Sequence, residues 1–130
     1  MKIFSNFKII FYFFNFCFIF LYIFPGSLIG LIIYGNKNIQ PQITSDFMIS
    51  SNHFYVFILT SVIGFLTFKK TNQIKILKIY LILLSVILEI FHIVIPERTF
   101  QWPDLFGNLL GVFLVILIKN LINKYGVIKK

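Results

Sequence analysis

The chain has 130 residues, 58% of them hydrophobic and 19% aromatic, with a mean hydropathy of +0.92 and a formal net charge of +8. A soluble domain of this length cannot hide so much apolar surface, so the composition points to a single-domain integral membrane protein. The positive charge does not call for nucleic acid, because the lysines stand at the ends of apolar runs rather than in a patch, and the single Cys17 excludes an internal disulfide or a cysteine metal cluster.

A membrane-crossing helix needs about 20 predominantly apolar residues. The first candidate runs over residues 7–24 and stops at Pro25-Gly26, after which LIGLIIYG could resume the helix beyond a kink. Its apolar run is longer than that of a signal peptide and no A-x-A site follows, so an uncleaved anchor is expected. The polar segment 35–52 follows as an outer loop. The second span covers residues 51–68, the third 74–95 and the fourth 104–122. The expected fold is all-α: an integral membrane four-helix bundle occupying residues 1–130.

Orientation follows from lysine and arginine placement. With four spans, Lys2, Lys8, Lys69, Lys70, Lys75, Lys78, Lys119, Lys124, Lys129 and Lys130 fall on one side, leaving Lys37 and Arg98 on the other. Both termini are therefore expected in the cytoplasm, in a bacterial cytoplasmic (inner) membrane, with loops 35–52 and 96–103 facing outward.

All four acidic residues fall toward that outer side. Asp46 lies in the first outer loop, Glu97 and Asp104 flank the second, and Glu89 lies inside the third span. With that helix ending near Ile95, Glu89 sits about 9 Å below its outer end. A charge in the bilayer costs at least about 2.5–3.5 kcal/mol at its centre, so Glu89 should face the bundle and find a partner or a proton. His92 follows Glu89 by three residues, and Asp104 and Asn108 are spaced i, i+4, so each pair shares a helix face. Gly111 continues the Asp104 face and allows close helix approach. His53 opens the second span at the same level. Arg98 stands between the third and fourth spans and is expected to pair with Glu89 or Asp104. These residues, with Trp102 at the rim, suggest an outward-facing polar pocket. Plainer roles compete: Asp104 as a helix-start acid, Trp102 as an interfacial anchor, Glu97 and Arg98 as a solvated loop pair, His53 as a cap, and Glu89 as interhelical glue.

These residues also carry a family resemblance. The chain resembles the VanZ-like family of small bacterial membrane proteins, associated with teicoplanin resistance. The family pattern is Asp-Lys-x-x-His-Phe, then Glu-x-x-Gln, Pro-x-Arg-x-Phe and Asp-x-x-x-Asn-x-x-Gly. Here it is met by His53-Phe54, by Glu89, by Pro96, Arg98 and Phe100, and by Asp104, Asn108 and Gly111. The resemblance covers about residues 49–118. Ile49-Ser50 stand where the family has Asp-Lys, and His92 replaces the Gln. The resemblance implies a cell-envelope role.

Three function classes follow. The first is a binder whose pocket, lined by Arg98, Glu89, Asp104, Asn108, His53 and Trp102, takes an anionic envelope lipid, a cell-wall precursor or an antibiotic such as a lipoglycopeptide. The second is an intramembrane enzyme on a lipid-linked substrate, with Glu89, Asp104, His53 and His92 as candidate acid–base groups. The third is a structural or accessory membrane subunit, or a subunit of an oligomeric transporter. Membrane lipids are the expected partners. No cofactor or metal is called for, although His53, Glu89, His92 and Asp104 form a weaker metal-ligand alternative.

Overall fold

The computed structural model describes residues 2–126, with side chains from residue 7 onward. Lys129, Lys130 and the side chain of Lys2, all expected among the inner charges, lie outside the described residues. The regular structure among the described residues is entirely helical: α1 Lys2–Ile23, α2 Leu28–Tyr34, α3 Ser51–Thr67, α4 Thr71–Phe91 and α5 Trp102–Tyr125.

The boundaries have local causes. Pro25 and the left-handed Gly26 (φ 77°) end α1. The chain resumes as α2, which the Ser27 hydroxyl caps by accepting from the Gly30 N–H, and which turns 81° away from α1. α3 begins under Asp46, whose carboxylate accepts the Ser51 N–H at 2.7 Å. α5 carries Pro103 in its first turn with Asp104 beside it, and closes on the left-handed Gly126.

α4 ends at Phe91, four residues earlier than expected, and residues 92–95 continue as hydrogen-bonded turns. Glu89 is therefore in the last turn of α4, about 3 Å from its end rather than 9 Å. It is nonetheless completely buried, because the segment after the helix folds over it.

The four long helices alternate in direction. The start of α1 meets the end of α3, where the Thr67 hydroxyl donates to the Phe7 carbonyl, and the start of α4 meets the end of α5, where Lys78 donates to Asn120. At the opposite end the last turns of α1 and α4 meet the first turns of α3 and α5. α3 and α5 approach most closely, since a Cβ on Gly107 would lie 2.8 Å from the Ser50 carbonyl oxygen and one on Gly111 2.6 Å from that of Phe54.

The interior mixes an apolar core, with Phe57, Leu81 and Val112 fully buried, with buried polar side chains. Thr60, Ser61, Ser85, Glu89 and Asn108 are fully buried, while Phe13, Phe16, Ile76, Ile79 and Leu117 stand exposed on the outer helix faces. Among the described residues, α5 alone is long and apolar enough to cross a membrane by itself. α1 and α2 qualify together as a bent pair, and the apolar α3 has only 17 residues.

Candidate functional site

The last turns of α1 and α4 and the first turns of α3 and α5 bring five polar side chains into one buried cluster: Tyr22, His53, Glu89, His92 and Asn108. Asp104 closes its side toward the start of α5.

Hydrogen-bond bookkeeping fixes the orientation of the cluster. The Asn108 carboxamide nitrogen donates to the Ser85 carbonyl at 3.1 Å and to the Tyr22 hydroxyl at 2.7 Å. A carbonyl oxygen only accepts, so the Asn108 oxygen must face the other way. It lies 3.1 Å from His53 Nδ1, which therefore carries a proton. The Tyr22 hydroxyl, 2.7 Å from the same Nδ1, is left to donate to Glu89 Oε2 at 3.0 Å. Glu89 Oε1 accepts the Gln101 N–H at 3.0 Å and lies 3.3 Å from His92 Nδ1. His92 Nε2 lies 3.1 Å from the Tyr22 carbonyl, so it too carries a proton. The Tyr22 and His92 rings stack with centroids 4.8 Å apart.

Two of these bonds repair a helix end. The last carbonyls of α1 have no intrahelical partners. His92 serves the Tyr22 carbonyl, and Arg98 Nε donates to the Phe24 carbonyl at 3.2 Å. Cationic or proton-donating side chains from far along the chain thus cap the negative end of α1.

This corrects the expectation for Arg98. It pairs with neither Glu89 nor Asp104; its other contact is to the Gln40 side chain at 3.4 Å. Its partial burial lowers the guanidinium pKa from the ordinary arginine value, the desolvation outweighing the nearby negative groups. Glu97, expected beside Arg98, instead pairs with Lys37 at 2.7 Å and holds its own backbone in the left-handed region at φ 63°. Trp102 is 63% exposed and packs against Phe100 and Phe106, away from the cluster. His53 is not a cap; Asp46 serves that end of α3.

Beside the cluster lies a cavity of about 350 Å³ under α2 and the 40–43 segment. Phe18, Leu21, Leu28, Ile29 and Val56 supply apolar lining, and Arg98, His53, His92, Gln40 and Asn52 supply polar groups. Glu89, Asp104 and Asn108, expected in the lining, sit behind the wall and reach the cavity only through Tyr22 and His53. No acidic side chain is in the described lining.

For a metal, His53, Glu89 and Asp104 each offer a ligand atom within 4.8 Å of the others. His92, expected in such a set, is instead committed to Glu89 and the Tyr22 carbonyl. Chemically the cluster can hold and pass a proton or balance a bound cation. The residue that sequence reasoning missed is Tyr22, its hub. The available signal was a phenol near the outer end of a Phe- and Ile-rich run, at the level of the other polar residues.

No protein-family model matches this chain, and neither a curated protein nor a solved structure is similar to it.

Proposed function

We propose that the chain is a VanZ-like multi-pass protein of the bacterial cytoplasmic membrane, with a cell-envelope role, whose cavity takes an amphiphile with an anionic head group. Four spans with both termini inside are supported by the outward-facing apolar helix surfaces and the buried polar interior. They are also supported by lysines at the cytoplasmic ends of the helices, where Lys69, Lys70 and Lys75 are exposed. α3, at about 25 Å, is short for a hydrocarbon core of about 30 Å, and local bilayer thinning or flanking polar residues accommodate the difference.

The observation that carries the reading is the mixed lining of the cavity: apolar side chains together with Arg98 and two imidazoles, and no carboxylate among the described lining residues. The apolar groups suit an acyl chain or ring system, and Arg98 suits a phosphate or carboxylate. An anionic envelope lipid, a lipid-linked precursor and a lipoglycopeptide such as teicoplanin share this chemistry.

The test uses purified protein and dodecyl phosphate, with dodecyl maltoside as the uncharged control. Arg98→Gln should weaken phosphate binding about tenfold or more while thermal stability and protein level hold. The same variant should lose any teicoplanin phenotype that the parent chain confers on a host. Equal binding of both amphiphiles, or no effect of the substitution, sinks the proposal. Labelling of Lys37→Cys and Lys70→Cys in a Cys17→Ser background tests topology: reagent outside the cell should reach position 37 alone.

One observation favours a second reading, an intramembrane enzyme: His53 belongs both to the cavity wall and to the cluster containing Glu89 and Asp104. His53→Gln that binds dodecyl phosphate normally but abolishes turnover of a lipid-linked substrate would favour it. Loss of folded protein in step with every cluster substitution would favour a structural subunit.

A further inference from the structure

Glu89 and Asp104 stand within reach of each other's field, and among the described residues no lysine or arginine pairs with either. Two carboxylates withdrawn from water need compensating positive charge. Arg98, the nearest candidate in sequence, is turned to the Phe24 carbonyl and Gln40. The compensation comes from protons, on the imidazoles or on the carboxyl groups themselves, or from a bound cation.

The geometry around His53 decides between them. Its Nδ1 proton is directed to the Asn108 oxygen, so a neutral ring leaves the lone pair on Nε2. That atom lies 3.5 Å from Asp104 Oδ2. The separation is long for a charge-assisted hydrogen bond, which runs about 2.7–2.9 Å. It matches two donors on one tetrahedral zinc-type ion, whose bonds of about 2.0–2.2 Å set the donors about 3.4 Å apart. The bond from Nδ1–H to an amide oxygen is also the usual support of a metal-bound histidine, because it fixes the tautomer and aims the other nitrogen.

The geometry points to a divalent transition-metal site of the zinc type, formed by His53 Nε2 and the Asp104 carboxylate, completed by Glu89 and supported by Asn108. One ligand atom from each of the three ligand residues lies within 4.8 Å of the others. The nitrogen–oxygen donor set suits zinc, with cobalt as a spectroscopic stand-in. Three protein donors leave one position for water or a ligand oxygen, and one of the donors, His53, also lines the cavity. This inference stands apart from the anion-binding reading: dodecyl phosphate binding that persists without zinc binding removes the metal site alone.

The experiment is zinc titration of the chelator-stripped full-length protein in detergent, read by competition with a chromophoric chelator. One zinc per chain is expected. Asp104→Asn and His53→Gln should each weaken it by about a hundredfold, and Asn108→Leu by about tenfold to a hundredfold as a supporting residue. Glu97→Gln, in the exposed ion pair, should leave it unchanged. Cobalt should give visible d–d bands in the parent that Asp104→Asn abolishes while its helical circular dichroism and thermal midpoint without metal match the parent's. Stoichiometry below one half, unchanged affinity in Asp104→Asn, or magnesium binding as tightly as zinc would each overturn the inference.

Discussion

The two ends of the helix bundle solve the same problem differently. At the Tyr22 end, four helix ends bring four polar side chains and a carboxylate together, and none of these five side chains is among the buried groups left unpaired. At the other end the packing is aromatic. Phe11 meets Phe68 edge to face with centroids 5.2 Å apart, and a groove of about 390 Å³ opens beside Tyr12, Asn15 and Tyr80. Asn15 donates to the Tyr80 hydroxyl, yet its own oxygen has no partner. It and the Ser61 hydroxyl are the buried side-chain groups left unpaired among the described residues. The contrast shows where polarity is required. An isolated amide tolerates an unmet acceptor beside a groove, whereas a charged network tolerates none, because each member's orientation depends on its neighbours.

Substitutions can break that contrast, beginning with the largest. Glu89→Leu strands His92, the Gln101 N–H and the Tyr22 hydroxyl together, and should cost about 3–5 kcal/mol, seen as loss of folded protein or a steep fall in thermal midpoint. Gly111→Leu should cost about 3 kcal/mol by forcing α5 off the Phe54 backbone, and a cross-link between engineered cysteines on α3 and α5 should form more slowly. Tyr22→Phe removes the hub hydroxyl and should cost about 2 kcal/mol. Combined with Asn108→Leu it should be non-additive by about 0.5–3 kcal/mol, as members of one network are; strict additivity would dissolve the distinction between the two ends. Asn15→Leu removes an already unpaired oxygen along with one bond to the half-buried Tyr80 hydroxyl, and should lower the unfolding free energy by about 1 kcal/mol at most. Lys37→Met, which breaks the half-exposed pair with Glu97, should change stability by about 1 kcal/mol at most, and less in high salt.

Much of the helical layout was legible. Apolar run length and the stop at Pro25-Gly26 locate the long helices, and the kink before LIGLIIYG marks the separate α2. The helical period also put Glu89 with His92 and Asp104 with Asn108, pairs that the structure brings into one region with His53. Arg98 was not legible, because its partner is a carbonyl that exists as a free acceptor only since α1 stops at Ile23. The depth of Glu89 was missed because α4 gives way to tight turns while the chain remains apolar through Ile95.

By itself the sequence determined the helices, their approximate ends, the residues sharing each face, and the sparse placement of charge, since these follow from local sterics and from the spacing of apolar and charged residues. Only the tertiary structure decided that Tyr22 sits at the centre, that Arg98 serves a backbone and not a carboxylate, and that the cavity wall is cationic with the acids behind it. Local periodicity sets which side chains stand together on one helix. How each helix is rotated against its neighbours, and which backbone groups its end leaves free, is settled by packing and by the need to satisfy every buried polar atom.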